Sequence, residues 1–288
     1  MNKTDLLDSV TMAKFVSNGY LRFDEIIPKD LCEESKEAIA LGEMDAYDKV
    51  GAPFYSLWEH SAMGKIFRLT TVRAIIESLL GPNPQYDHHY IHNKKAHTND
   101  TDSLHQDGTY DTRDFGFDLL ICFFPDDVSE KMGGTLVVPG SHFRKVNSGA
   151  IGRYQNIVGQ QQLVCKAGTI LFMHSNLWHS GRSNHSDNDR LLFKLRLNPT
   201  VEQVRLWNTE DINDSEILTI LGERMPWHSG EQRLENINRI RLWRYMIGDP
   251  TPDFTTDKLW GTKLDDMPKV IYQDSVRSLD MKDSVVSE

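Results

Sequence analysis

No apolar run in this 288-residue chain approaches the ~20 residues needed to cross a bilayer. Its opening, MNKTDLLDSV, lacks the apolar stretch of a secretory leader. Cysteine is scarce. Cys32, Cys122 and Cys165 are an odd number without CxxC spacing, which argues against a disulfide framework or a cysteine zinc site and fits a reducing cytoplasm. Positive charge is in deficit as well: 32 Lys and Arg stand against 42 Asp and Glu, a formal net charge of −10. Nucleic acid and anionic membranes, which need a basic surface, are not expected partners. Histidine is abundant by contrast, with 11 residues, so a bound metal would be held by imidazole and carboxylate.

There is no internal repeat, no low-complexity block and no linker between independent units. A single domain over 1–288 is expected, with a helical N-terminal region (1–84), a β core (85–200), a helical C-terminal region (201–273) and a flexible tail (274–288). Leu6, Leu7, Val10, Phe15 and Val16 give a rough helical face that Gly19 stops; Tyr20–Ile27 is strand-like, and Pro28 and Asp30 introduce a helix to about Leu41. Over 65–80, Ile66, Leu69, Val72, Ile75, Ile76, Leu79 and Leu80 have helical spacing, closed by Gly81-Pro82. The middle changes character. Tyr86–His92, Phe117–Phe124, Thr135–Val138, Gln162–Cys165, Thr169–Met173 and Leu191–Leu197 are short, β-branched or aromatic, and separated by turn residues. This pattern predicts an antiparallel barrel or double-sheet jelly roll with helical additions. Ser215–Leu221 and Gln232–Ile247 are expected helices, the second with Arg239, Arg241 and Arg244 on a solvated face or a subunit contact.

Three segments carry chemistry. In a strand, His105 and Asp107 point to one side, and a second histidine would complete a two-His, one-carboxylate set that holds Fe(II) and leaves positions open. Trp178-His179-Ser180-Gly181 follows a strand, and Arg190 begins the next after a turn-rich loop. A hairpin would bring His179 and Arg190 together, and Arg can make paired hydrogen bonds to a carboxylate. Gly133-Gly134-Thr135-Leu136-Val137-Val138-Pro139-Gly140-Ser141-His142 reads by itself as a β segment with its turns.

Together these motifs resemble the phytanoyl-CoA dioxygenase family of Fe(II)- and 2-oxoglutarate-dependent oxygenases. The likeness covers most of the chain. It starts at Phe15–Ile27, includes His105-Gln106-Asp107, Leu119–Phe124 and the segment ending at His142, and finishes with His179, Asn184, Ser186 and Arg190. The resemblance implies a double-stranded β-helix, the cupin-like jelly roll. It implies His105, Asp107 and His179 as iron ligands, and Arg190 as the partner of the far carboxylate of 2-oxoglutarate. Lys94, Thr135 and Ser186 are further co-substrate candidates. O2 would be consumed and 2-oxoglutarate decarboxylated to succinate. Because Asp107 occupies the position that related halogenases give to Ala or Gly, halogenation is disfavoured.

Tyr110, Arg113, His92 and Trp207 are candidates for the substrate side. Alternation places Tyr86, His88, Tyr90 and His92 on one strand face. His142 and His174 read as structural, and Trp207, Trp227 and Trp243 also have a plain packing role open to them. The expected reaction is hydroxylation of a small polar metabolite or natural-product intermediate. Desaturation, cyclisation, C–N cleavage or action on an acyl-CoA remain alternatives, and so does a non-catalytic cupin-like binding protein. Monomer and homodimer are equally open.

Overall fold

The computed structural model describes residues 2–44, 49–108, 115–144, 148–152, 156–226 and 229–249. The expected tail from residue 274, with Tyr110, Arg113 and Trp227, lies outside these described residues. Asp8 caps helix α1 (Ser9–Asn18) by accepting from the Thr11 amide at 2.7 Å, and Gly19, at φ 79°, ends it in the left-handed region open to glycine. Strand β1 (Tyr20–Phe23) is shorter than the expected Tyr20–Ile27. Helix α2 (Lys29–Ala40) starts behind Pro28.

The single helix expected over 65–80 is two, α3 (Ala62–Arg68) and α4 (Thr70–Leu80). Leu69 breaks it with an extended backbone, φ −53° and ψ 134°. Arg68 donates to the carbonyls of Tyr55 and Leu57 at 2.6 and 2.8 Å, tying the end of α3 to the preceding segment. The β-branched Thr70 and Thr71 then fall in the first turn of α4, not mid-helix.

The remaining elements are β2 (Gln85–Lys94), β3 (Leu119–Phe124), β4 (Thr135–Val137), α5 (Ser148–Ile151), β5 (Gln161–Leu163), β6 (Thr169–His174), β7 (His179–Gly181), β8 (Arg190–Asn198), α6 (Ser215–Leu221) and α7 (Ser229–Met246). The strands form two antiparallel sheets, a large one in the order β1-β6-β3-β8-β2 and a small one in the order β5-β4-β7. The architecture is the expected jelly roll, mainly β with helices added.

Alternation explains the packing. In β3, Leu119, Ile121 and Phe123 face the helices, in one cluster with Phe15, Phe67, Ile75, Phe172, Phe193 and Trp243. Leu120, Cys122 and Phe124 face inward and join Val137, Leu163, Leu171 and Met173 between the sheets. Every residue of β3 and β6 is buried, so the sheet centre is covered on both sides. Each fully buried large apolar side chain contributes roughly 1.5–3 kcal/mol. No helix among the described residues is long and apolar enough to cross a membrane.

Two expectations are corrected here. Arg239 and Arg244 are buried, not on a solvated face. Arg239 donates to the Leu221 and Glu223 carbonyls at 3.0 and 2.7 Å, where α6 ends and leaves acceptors without helical partners, and Arg244 pairs with Asp249 at 2.6 Å. A register shift between Tyr86 and His88 takes Tyr86 off the face of His88, Tyr90 and His92. The buried Tyr86 hydroxyl instead meets His89 Nδ1 at 2.7 Å, beside Trp58.

Candidate metal centre

His179 opens β7, and His105 lies beside it as an isolated antiparallel bridge. Each backbone amide donates to the other's carbonyl, at 3.0 and 2.9 Å. A pair exchanging both bonds keeps its side chains on one face, and the two imidazole centroids are 4.4 Å apart. Asp107 sits in a bend, not in the strand expected for it, and its amide donates to the Ser175 carbonyl at 3.0 Å just past β6. The two-residue step still delivers its carboxylate to the imidazoles. One donor atom from each of His105, Asp107 and His179 lies within 4.8 Å of the others, the one such group among the described residues.

The tautomers are fixed from behind. His105 Nδ1 donates to the Ser103 carbonyl at 2.7 Å and His179 Nδ1 to the Leu177 carbonyl at 2.9 Å. Each Nε2 therefore points forward. His105 Nε2 lies 3.3 Å from Asp107 Oδ1, and His179 Nε2 lies 3.8 Å from Oδ2. The buried His179 Nε2 has no hydrogen-bond partner. An orphaned, forward-facing imidazole lone pair beside a carboxylate fits a divalent metal, and nitrogen, nitrogen and oxygen are the donors that Fe(II) takes. Burial pushes His179 down to about 4, aided by His105. Burial opposes ionisation of Asp107, but the His105 hydrogen bond and the charges of His179 and Lys194 hold it well below the usual carboxylate range. The Asp107 hydrogen bond raises His105.

These groups open into a cavity of about 290 Å³ that continues to a second polar end. There Arg190, which starts β8, sits opposite Lys94, which ends β2. The buried Arg190 guanidinium donates to the Met132 carbonyl, and burial lowers its pKa while Asp102 raises it. Lys94 Nζ lies 3.2 Å from Asp100 and 3.5 Å from Asp102. Gly181 makes room: a Cβ there would lie 2.3 Å from Asp102 Oδ2. Arg190 and Lys94, with the carboxylates of Asp100 and Asp102 beside them, thus share one cavity with the metal-type donor set.

The cavity gathers His105, His179, Arg190, Lys94, Thr135 and His92 of the expected site residues, with Asp107 beside its metal end. The expected hairpin between His179 and Arg190 is not formed. The two belong to different sheets and meet across the cavity. Ser186 is not brought there, because its hydroxyl donates to Asn184 Oδ1 at 2.7 Å and to the Asn188 carbonyl at 3.0 Å within the turn. Trp207 is also elsewhere, buried against Trp243 with its Nε1 donating to Ser9 Oγ at 3.0 Å. Tyr110 and Arg113 lie outside the described residues.

Sequence reasoning missed Lys194, whose ammonium is 2.8 Å from Asp107 Oδ2. Its signal is alternation in β8. Leu191, Phe193, Leu195 and Leu197 take one side, so Arg190, Leu192, Lys194 and Arg196 share the other.

A model of the family described as Phytanoyl-CoA dioxygenase (PhyH) matches residues 15–192. An uncharacterized protein of Mycobacterium tuberculosis (strain ATCC 25618 / H37Rv) is 35% identical over 89 residues, 31% of this chain and 32% of that protein. The matched stretch thus spans about a third of that curated relative's length. Among solved structures, the non-heme α-ketoglutarate-dependent carbocyclase SnoK from nogalamycin biosynthesis aligns with TM-score 0.54 and 16% identity, covering 69% of this chain and 86% of that one. The epimerase SnoN, in complex with Fe3+, α-ketoglutarate and nogalamycin RO, aligns with TM-score 0.51 and 19% identity, covering 66% and 84%. At these identities the likeness is one of fold.

Proposed function

This chain belongs to the phytanoyl-CoA dioxygenase family of Fe(II)- and 2-oxoglutarate-dependent oxygenases, and on that premise we propose that it oxidises a small polar metabolite, by hydroxylation, while 2-oxoglutarate is decarboxylated to succinate. The observation that carries the reading is one cavity with His105 and His179 at one end, Asp107 beside them and Arg190 with Lys94 at the other. His105, Asp107 and His179 would hold the iron. When bound, the iron supplies activation of O2 coupled to oxidation of the co-substrate.

The chain's own groups do the positioning. The Ser103 and Leu177 carbonyls fix the tautomer of both imidazoles, so that each Nε2 is the atom left to a metal. Arg190 and Lys94 would receive the far carboxylate of 2-oxoglutarate, and the fixed guanidinium sets its direction. Thr135, buried at the start of β4, lines the same wall. Burial of Arg190 excludes water from that ion pair and strengthens it. His92, on β2, and Lys194 and Leu192, on β8, would face the substrate, a mixed lining that suits a small polar molecule. Substrate-side roles for Tyr110 and Arg113 belong to the same proposal.

The experiment is an aerobic reaction with Fe(II), 2-oxoglutarate and ascorbate across a metabolite panel, read by succinate release and product mass. Succinate with gain of one oxygen atom in a product supports hydroxylation. Succinate with loss of two hydrogens, or with no mass change, would replace hydroxylation by desaturation or epimerisation. No succinate from an iron-loaded protein under any condition sinks the oxygenase reading.

A further inference from the structure

Among the described residues Lys194 brings the one ammonium to the Asp107 carboxylate, while Arg196 reaches only the Asp107 backbone carbonyl, and the co-substrate roles above do not use Lys194. Its Nζ lies 2.8 Å from Asp107 Oδ2, with both side chains mostly buried, at 13% and 15% exposed. It reaches inward from β8 on the side that carries Arg190, and its ammonium lies 5.9 Å from the centroid of the Tyr90 ring. The Asp107 oxygens are therefore unequal. Oδ2 is engaged by an ammonium, whereas Oδ1 faces His105 Nε2 at 3.3 Å.

We infer that Lys194 is a positioning residue that sets how Asp107 serves a divalent metal and tunes the site toward an anionic chelator. This rests on the proposed function. With the ammonium on Oδ2, Oδ1 would be the oxygen through which Asp107 holds a metal. The ammonium charge bears on the chelator. With neutral imidazoles, Lys194 cancels the charge of Asp107, so the metal-loaded site keeps the full double charge of the ion to attract the dianion 2-oxoglutarate. The same charge weakens capture of the bare cation. Metal binding and 2-oxoglutarate binding should thus respond to Lys194 in opposite senses, unlike an ordinary carboxylate-supporting partner, whose loss weakens the metal site itself.

The test uses the full chain under anaerobic conditions. Wild type, Lys194→Met and Lys194→Arg are titrated first with Fe(II), then with 2-oxoglutarate, followed by calorimetry and by the visible absorption that develops when an α-keto acid chelates Fe(II). Lys194→Met should bind Fe(II) at least as tightly as wild type, while its 2-oxoglutarate Kd rises about tenfold, a difference of roughly 1.4 kcal/mol. Lys194→Arg should restore most of the 2-oxoglutarate affinity. Unchanged 2-oxoglutarate binding in Lys194→Met overturns the inference, as does a loss of Fe(II) affinity as large as the loss of 2-oxoglutarate affinity. Failure of wild type to bind 2-oxoglutarate in the presence of Fe(II) would instead refute the proposed function, and the inference with it.

Discussion

Acid should destabilise this protein through a histidine that takes no part in metal binding. His174 ends β6, fully enclosed, with its ring stacked 5.2 Å from Phe117 and 5.1 Å from the buried His142. Its Nδ1 accepts from the Asn176 amide at 3.1 Å. Burial pushes its pKa down to about 4, with a small opposing contribution from Asp118. In the unfolded chain the same ring titrates near ~6.5. Between these values the unfolded state binds the extra proton, so stability is complete above ~6.5 and falls as pH drops toward ~4. One pKa unit is ~1.4 kcal/mol, so His174 alone removes about 2 kcal/mol by pH ~5 and about 3 by pH ~4. His142, also lowered by burial, adds to the trend. A typical domain has only ~5–15 kcal/mol in hand. The assay is urea unfolding of metal-free protein from pH 7.5 to 5, comparing wild type with His174→Asn, whose side-chain oxygen can still accept from Asn176. The variant should start less stable but lose about 2 kcal/mol less over that range. Parallel stability curves would refute the assignment. The effect bears on the site, because the adjoining Ser175 carbonyl receives the Asp107 amide.

Three other outcomes follow from the geometry. Arg190→Met should raise the 2-oxoglutarate concentration for half-maximal succinate release by roughly 10–100-fold, since charged hydrogen bonds are worth ~1.5–3 kcal/mol; an unchanged requirement would remove Arg190 from its proposed role. Gly134→Ala should lower stability by about 1–3 kcal/mol in chemical denaturation, because its Cβ would lie 2.2 Å from the Leu163 carbonyl at φ +63°. Wild-type stability in that variant would contradict the tight β4–β5 approach. Fe(II) uptake should weaken as pH falls, beginning above the ordinary imidazole value of ~6.5, because a proton on His105, whose pKa the Asp107 hydrogen bond raises, competes with the metal; calorimetry at several pH values reads this directly.

Much of the fold was legible because burial imposes simple periods. The alternation of β8 and the apolar runs of β3 and β6 already imply a sheet with two covered faces. His105, Asp107, His179 and Arg190 stood out by residue type and order, and the fold brings them to one region. What sequence missed depended on contacts far along the chain. Leu69 looks like a helical core position, yet Arg68 is drawn away to the Tyr55 and Leu57 carbonyls and the helix breaks there. Tyr86 shares the parity of His88 and Tyr90, but a single register shift moves it to the other face. Arg239 looks solvated until the carbonyls at the end of α6 are found above it. Ser186 and Trp207 carry groups that suit a binding site, but Asn184 and Asn188 hold the first within its turn and Ser9 and Trp243 hold the second in the core. Lys194 lay in plain alternation with Arg190. Only the bend that turns Asp107 toward it gives that position meaning.

The central claim is that His105, Asp107 and His179 form an iron site that couples O2 to 2-oxoglutarate. Its most direct test is succinate formation by the Fe(II)-loaded chain, wild type beside His179→Ala, with circular dichroism to show that the β fold persists. Wild type should give iron-dependent succinate, even when uncoupled from substrate, and a folded His179→Ala should give none. Equal succinate from the two proteins would contradict the claim.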